Sequence, residues 1–184
     1  MENQDNTIDI IIYSKFDYEL SNNDTGKIFQ VYNQCFYNDQ VTKKSQINLA
    51  KEWIAKSHIF QWYIAKVGGE VIGIANIVYD NSNADKFAIN QEKGENVSSV
   101  GVSNKYRRIG VARLLMEKII QDHQSLKDIV VEIKKANPIF DILVKFYQSL
   151  GFEQLDKVDK TDDKKENDLE NYYFILRKGK SNNV

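Results

Sequence analysis

The sequence predicts an α/β fold, a single mixed sheet of about seven strands flanked by about four helices. Three observations predict it. Short β-branched runs alternate with amphipathic helical stripes along the chain. Gly68-Gly69 joins two apolar runs by the two-residue signature of a hairpin. No repeat and no linker-like stretch divides the 184 residues, so one domain over 1–184 is expected, with 1–7 and 179–184 disordered.

The elements follow in order. Ile8-Asp9-Ile10-Ile11-Ile12-Tyr13 reads as a first strand. Asn22-Asn23-Asp24-Thr25-Gly26 breaks the chain and caps a helix whose stripe is Ile28, Phe29, Val31, Tyr32 and Cys35. A second helix is expected over Ile47–Ala55, with Leu49, Trp53 and Ile54 on one face. Trp62–Val67 and Val71–Val78 are the hairpin strands. The polar stretch Asp80–Asn96 reads as a long loop, Val97–Val102 as a strand, Gly110–His123 as a helix and Asp128–Ile133 as a strand. Asn137-Pro138 starts a helix, since proline suits a first turn, and Leu150-Gly151 stops it. Phe152–Val158 is a strand, Asp159–Asn171 a charged loop, and Tyr172–Arg177 the last strand.

Composition removes several function classes. A net charge of -1 gives no call for nucleic acid or an anionic membrane surface. No apolar run is long enough to span a bilayer, and the polar start Met1–Asn6 is not a secretory signal. Cys35 is the only cysteine, which leaves no internal disulfide and no cysteine-based metal site and fits a reducing compartment, cytosol or nucleus, with the cytoplasm expected. No His/Asp/Glu cluster has metal-ligand spacing, so no metal is expected.

The informative segment runs from Val100 to Leu115. It reads as an apolar strand end, Val100-Gly101-Val102, then a basic turn with Gly110, then an amphipathic helix. The first N–H groups of a helix have no partner within it, and the helix dipole places partial positive charge there. Gly110 and the small Ala112 let an anion approach the backbone, and Arg107, Arg108 and Arg113 add full charges. This suits a diphosphate, although the same pattern describes an ordinary strand–turn–helix with surface arginines. Gly-x-Gly-x-x-Gly and the P-loop pattern are absent.

The spacing Arg107-x-x-Gly110-x-Ala112 resembles the acetyl-CoA-binding motif of the GCN5-related N-acetyltransferases (GNAT), Arg/Gln-x-x-Gly-x-Gly/Ala after a Val-rich strand. Four further segments agree. Val131-Glu132-Ile133-Lys134-Lys135-Ala136-Asn137 resembles the Leu-Glu-Val-Arg-x-Ser-Asn stretch of the bacterial ribosomal-protein N-terminal acetyltransferase. Phe146–Phe152 is similar to the family's Tyr-x-x-x-Gly-Phe. The hairpin around Gly69-Glu70-Val71-Ile72-Gly73 and the strand Glu170–Leu176 resemble their counterparts in NatA-type catalytic subunits. The resemblance covers roughly two thirds of the chain, from Trp62 onward. It implies a GNAT fold whose sheet splays at the acetyl-CoA site. It also implies a cofactor cradle of Val100, Gly101, Val102, Arg107, Arg108, Ile109, Gly110, Val111, Ala112, Arg113 and Asn137.

All the departures but the change at the Asn137 helix start border the acceptor side. Phe36–Gln40 lacks the Pro-Glu of the NatA-type peptide-binding loop, and Tyr172-Tyr173 sit inside the last strand rather than before it. Asn137 to Tyr147 is about three residues longer than the family spacing, and Asp80–Asn96 is an insertion. Peptide preference therefore does not transfer.

Acetyl transfer to an amine needs a neutral nucleophile, a donor for the oxyanion and a proton for the leaving thiolate. Glu132 is the candidate base, directly or through a water, because a carboxylate among β-branched neighbours is out of place; a solvated edge-strand residue is the alternative. Tyr147 is the candidate acid, against the alternative of a core tyrosine. By resemblance, the oxyanion donor is a backbone N–H near Val102. Cys35 reads as buried core, and His58 and His123 are isolated. Phe36, Tyr37, Asn38, Tyr172 and Tyr173 are the candidate acceptor wall.

An α-amine has a pKa of about 7.7–8.0 and a lysine amine about 10.4, a gap of about 3.4 kcal/mol in reaching the neutral form. That gap favours an N-terminal α-amine over lysine as the acceptor. The expected function is acetyl-CoA-dependent protein N-α-acetylation, with a possible auxiliary subunit. Its rivals are acetylation of a small amine or lysine and an inactive acyl-CoA-binding module.

Overall fold

The computed structural model describes residues 7–14, 22–36, 48, 59–79, 95–123, 128–135, 137–155 and 171–177. The elements are β1 (Asp9–Ser14), α1 (Asn22–Phe36), β2 (Ile59–Val67), β3 (Glu70–Tyr79), β4 (Glu95–Val102), α2 (Val111–Asp122), β5 (Ile129–Lys134), α3 (Phe140–Gln148), β6 (Glu153–Gln154) and β7 (Asn171–Leu176). They form a mixed seven-stranded sheet in the order β1-β2-β3-β4-β5-β7-β6. The chain divides into two compact units, Met1–Val78 with Ser98–Asp122, and Tyr79–Val97 with His123–Val184. β4 therefore begins in the second unit and ends in the first.

In the first unit β1, β2 and β3 form an antiparallel meander, with Ile11 opposite Ile64 and Ile64 opposite Ile74. Gly68 and Gly69 both have positive φ, 53° and 78°, the backbone that a tight hairpin between right-twisted strands requires. One face of the meander carries Trp62, Ile64 and Ile74, which pack with Ile28, Phe29 and Val31 of α1. The other face receives α2, whose Val111, Leu115, Met116 and Ile119 are buried. Gly73 makes that seating close. A Cβ there would lie 2.6 Å from Val111 Cγ1 and 3.2 Å from Leu115 Cδ1.

In the second unit β4 and β5 pair in parallel, Glu95 to Val97 opposite Ile129 to Val131. β5 and β7 pair antiparallel from Ile129 opposite Leu176 to Lys134 opposite Asn171. α3 ends in a turn stopped by Gly151 at φ 89°, with Gly151 N–H on the Gln148 carbonyl and Phe152 N–H on the Tyr147 carbonyl.

Several boundaries differ from the sequence reading. α1 includes Asn22–Gly26, which was expected to break the chain; Asn, Asp and Thr suit a first turn, and one helical glycine costs only about 1 kcal/mol. Glu95 and Asn96 belong to β4 rather than to the preceding loop. α3 starts at Phe140, not at Asn137-Pro138. The Asn137 side-chain oxygen accepts the Ile139 N–H at 3.1 Å and its carbonyl accepts the Phe140 N–H, so Asn137–Ile139 form a turn that precedes the helix. Of the helix expected over Ile47–Ala55, only Asn48 is described, and it is helical. Of the loops expected at Asp80–Asn96 and Asp159–Asn171, residues 80–94 and 159–170 lie outside the described residues, as do both terminal segments except Thr7, while Asn171 belongs to β7.

Candidate active site

The basic turn is held from three sides. Ser103 N–H donates to the Ile72 carbonyl at 2.9 Å and ties the end of β4 to β3. A 3-10 turn, Asn104–Tyr106, follows, and the Tyr106 hydroxyl donates to Glu70 Oε2 at 2.7 Å. Lys105 Nζ donates to the same hydroxyl at 3.1 Å, and the bond and the Glu70 carboxylate raise the Lys105 pKa. Arg108 is left-handed at φ 69° and Gly110 at φ 94°, so the backbone turns twice before α2. The first helical bond runs from Leu114 N–H to the Gly110 carbonyl at 3.0 Å. The N–H groups of Val111 and Ala112 therefore have no partner within the helix. A Cβ placed on Gly110 would meet nothing within 4 Å, so the space before these donors is open. Exposed Arg108 and Arg113 flank them, Arg113 also pairing with Glu117 at 3.4 Å. Loop, helix terminus and charge together fit a diphosphate.

The second unit carries the acid–base candidates. Glu132 is exposed on β5, whose Ile129, Val130, Val131 and Ile133 are all buried. Its register partner on β7 is Tyr173, so the two share a face of the sheet with Val130 and Ile175, against which Tyr173 packs. Tyr147 is buried at 5 % exposure under the opposite face. Its ring packs with Phe146, Phe152 and Phe174, the last being the register partner of Val131. Glu132 and Tyr147 thus approach the β5–β7 pair from opposite faces. Burial pushes the Tyr147 phenol well above the usual tyrosine range, which makes it a weaker acid than an exposed tyrosine.

The sequence model of the Acetyltransferase (GNAT) domain matches residues 58–154, just over half of the chain. This chain belongs to the GNAT acetyltransferase family. It is an acetyl-CoA-dependent N-acetyltransferase. Similar solved structures include an N-acetyltransferase from Staphylococcus aureus Mu50, 18% identical, with a TM-score of 0.59 over 91% of this chain and 98% of that one. An aminoglycoside N-acetyltransferase, AAC(6')-Iy in complex with CoA, is 16% identical with a TM-score of 0.59, over 90% and 99%. The ribosomal-protein-S18-alanine N-acetyltransferase from Escherichia coli is 15% identical with a TM-score of 0.53, over 90% of each chain. At these identities the likeness is one of fold. No curated protein matches the sequence.

The remaining candidate residues of this GNAT acetyltransferase fall into place separately. Val100 is half-buried and Gly101 buried, where a Cβ would lie 3.0 Å from Cys35 Sγ and 3.3 Å from Phe36 Cε2. The Arg107 side chain donates from Nε to the Val102 carbonyl at 3.2 Å rather than extending as a free charge. Ile109 is exposed and Val111 buried, so Val111 offers an anion only its backbone. Asn137 uses its side-chain oxygen in the turn before α3. Tyr172 and Tyr173 do not line one surface. Adjacent strand residues face opposite ways, and Tyr172 meets Phe140 of α3 at 5.0 Å while Tyr173 lies on the Glu132 face. Phe36 is 43% exposed and its ring lies 4.7 Å from that of Tyr32. Tyr37 and Asn38 lie outside the described residues. Cys35, expected as buried core, is half-buried, and its Sγ donates to the Val102 carbonyl at 3.3 Å. The signal was the missing side chain at Gly101, which creates the space Cys35 fills. The Tyr106–Glu70 bond that ties the basic turn to the hairpin had no sequence signal, because its partners lie 36 residues apart.

Proposed function

We propose that this GNAT acetyltransferase acetylates the N-terminal α-amine of polypeptides. The observation that carries the proposal is Glu132, the one exposed carboxylate on an otherwise buried stretch of β5, with the half-buried Tyr173 directly across from it on the same face. Acetyl-CoA supplies a thioester acetyl group. Glu132 takes the proton of the attacking amine, directly or through a water. The amine nitrogen bonds to the acetyl carbon, the carbon–sulfur bond breaks, and Tyr147 gives its proton to the departing thiolate. The Val102 N–H receives the carbonyl oxygen as charge develops on it. Val111 and Ala112 amides, with Arg108, hold the diphosphate.

An α-amine suits this machinery. Reaching its neutral form at pH 7 costs about 1.4 kcal/mol, against about 4.6 kcal/mol for lysine, so a single carboxylate suffices as base. Because the Pro-Glu of NatA-type loops is missing, a different choice of first residues is expected. The single cysteine fits a cytoplasmic setting, and among the described residues no helix is long and apolar enough to cross a membrane. An auxiliary subunit that presents nascent chains is compatible with this reading.

One peptide in two forms tests the proposal. With a free N-terminus it is acetylated; with that terminus blocked and an internal lysine left free, it is nearly inert. Equal rates on both forms, or faster acetylation of spermidine, would transfer the assignment to lysine or small-amine chemistry.

A further inference from the structure

The peptide group between Val102 and Ser103 is fixed at both ends. Ser103 N–H points to β3, where it donates to the Ile72 carbonyl at 2.9 Å. In a trans peptide the carbonyl on the same plane faces the other way, so the Val102 carbonyl points to the edge of β4 away from β3. In an extended strand the N–H and carbonyl of one residue share a side, so the Val102 N–H faces that edge too. Two side chains converge on this carbonyl, Cys35 Sγ from α1 at 3.3 Å and Arg107 Nε from the basic turn at 3.2 Å. Gly101 leaves the space in which Cys35 makes its contact. Arg107 is exposed and sits three residues before Gly110, yet its Nε turns back to the strand.

We propose that Arg107 is a positioning residue: its Nε–H, with the Cys35 thiol, holds the Val102 carbonyl and so orients the Val102 N–H toward the thioester oxygen. This rests on the reading of Val102 N–H as the oxyanion donor. Arg108 and the helix amides carry the diphosphate, and Arg107 serves the strand. The chemistry of the side chain makes the distinction testable. Glutamine places its Nε2 donor the same number of bonds from Cα as the Nε of arginine, without the charge. Lysine keeps the charge and has a methylene at that position.

The test compares Arg107→Gln, Arg107→Lys, Arg107→Ala and Arg108→Ala in the full chain. The acceptor is whichever of a free-N-terminus peptide, an N-blocked lysine peptide and spermidine the wild type acetylates fastest, so the result does not depend on the acceptor class. Arg107→Gln is expected to keep kcat within about threefold, whereas Arg107→Lys and Arg107→Ala lose about tenfold or more with little change in the KM for acetyl-CoA. Arg108→Ala raises that KM instead. Retention by Arg107→Lys with loss in Arg107→Gln would show a charge contact and overturn the proposal, as would equal kcat in all variants. The amide resonance of Val102 checks the reading beneath it. It shifts more with acetyl-CoA than with CoA if Val102 N–H meets the acetyl oxygen. If it does not, the oxyanion assignment fails and the proposal fails with it.

Discussion

Tyr147 combines a buried phenol with the proposed role of acid, and each property has its own measurement. Its hydroxyl makes no hydrogen bond among the described residues, and burial alone raises its pKa. Tyr147→Phe therefore leaves stability near pH 8 almost unchanged, while turnover falls about 10²-fold, as for a lost general acid. The raised pKa also fixes a pH dependence. The folded state holds the phenolic proton more tightly than the unfolded chain does, so the contribution is complete below about pH 10 and is lost as pH rises above it. Urea unfolding at pH 8 and pH 11 should show a larger alkaline loss for wild type than for Tyr147→Phe, by up to about 1.4 kcal/mol per pH unit. Identical losses would place the phenol in contact with solvent. Glu132→Gln should lower kcat with little change in the KM for acetyl-CoA. Being exposed, it should unfold at the wild-type temperature.

At the scale of elements, the seating of α2 on β3 decides where the proposed diphosphate cradle sits. Gly73→Ala would drive a methyl to 2.6 Å from Val111 Cγ1, the first residue of the helix and fully buried. The expected outcome is a loss of about 1–3 kcal/mol, the cost of overpacking, together with weaker CoA binding, because the helix start must shift. Calorimetry and thermal unfolding check the two together. Unchanged CoA affinity in the destabilised protein would separate the helix start from the cradle. The sequence made the strand–turn–helix readable here, since β-branched runs, Gly110 and the α2 stripe are local signals. It made the Gly68-Gly69 hairpin readable for the same reason. What it hid was non-local. That Cys35 and Arg107 meet on one carbonyl depends on α1 packing beside β4, and no periodicity reports that. The start of α3 was misplaced because Asn137-Pro138 carries two helix-start signals while the Asn137 side chain spends its oxygen on a turn. The Tyr172-Tyr173 pair looked like one wall until strand alternation set the two on opposite faces.

For the molecule as a whole, cofactor binding appears as stability. A ligand that binds only the folded state stabilises it by about 2.7 kcal/mol at one hundred times its Kd, which for a chain of this size raises the Tm by about 5–10 °C. Wild type should show this rise with CoA. Gly110 is where the effect can be dissected, because two penalties are separable there. At φ 94° any L side chain is strained, so Gly110→Ala and Gly110→Asp both lower the Tm of the apoprotein by a similar amount. Space is not the difference between them, since a Cβ at Gly110 meets nothing within 4 Å. Charge is. The carboxylate of Gly110→Asp would compete for the Val111 and Ala112 amides, the donors proposed to receive the diphosphate. Gly110→Ala should therefore keep much of the CoA-dependent rise, and Gly110→Asp should show none at the same ligand concentration. An equal rise in both variants would mean that the diphosphate binds elsewhere on the chain.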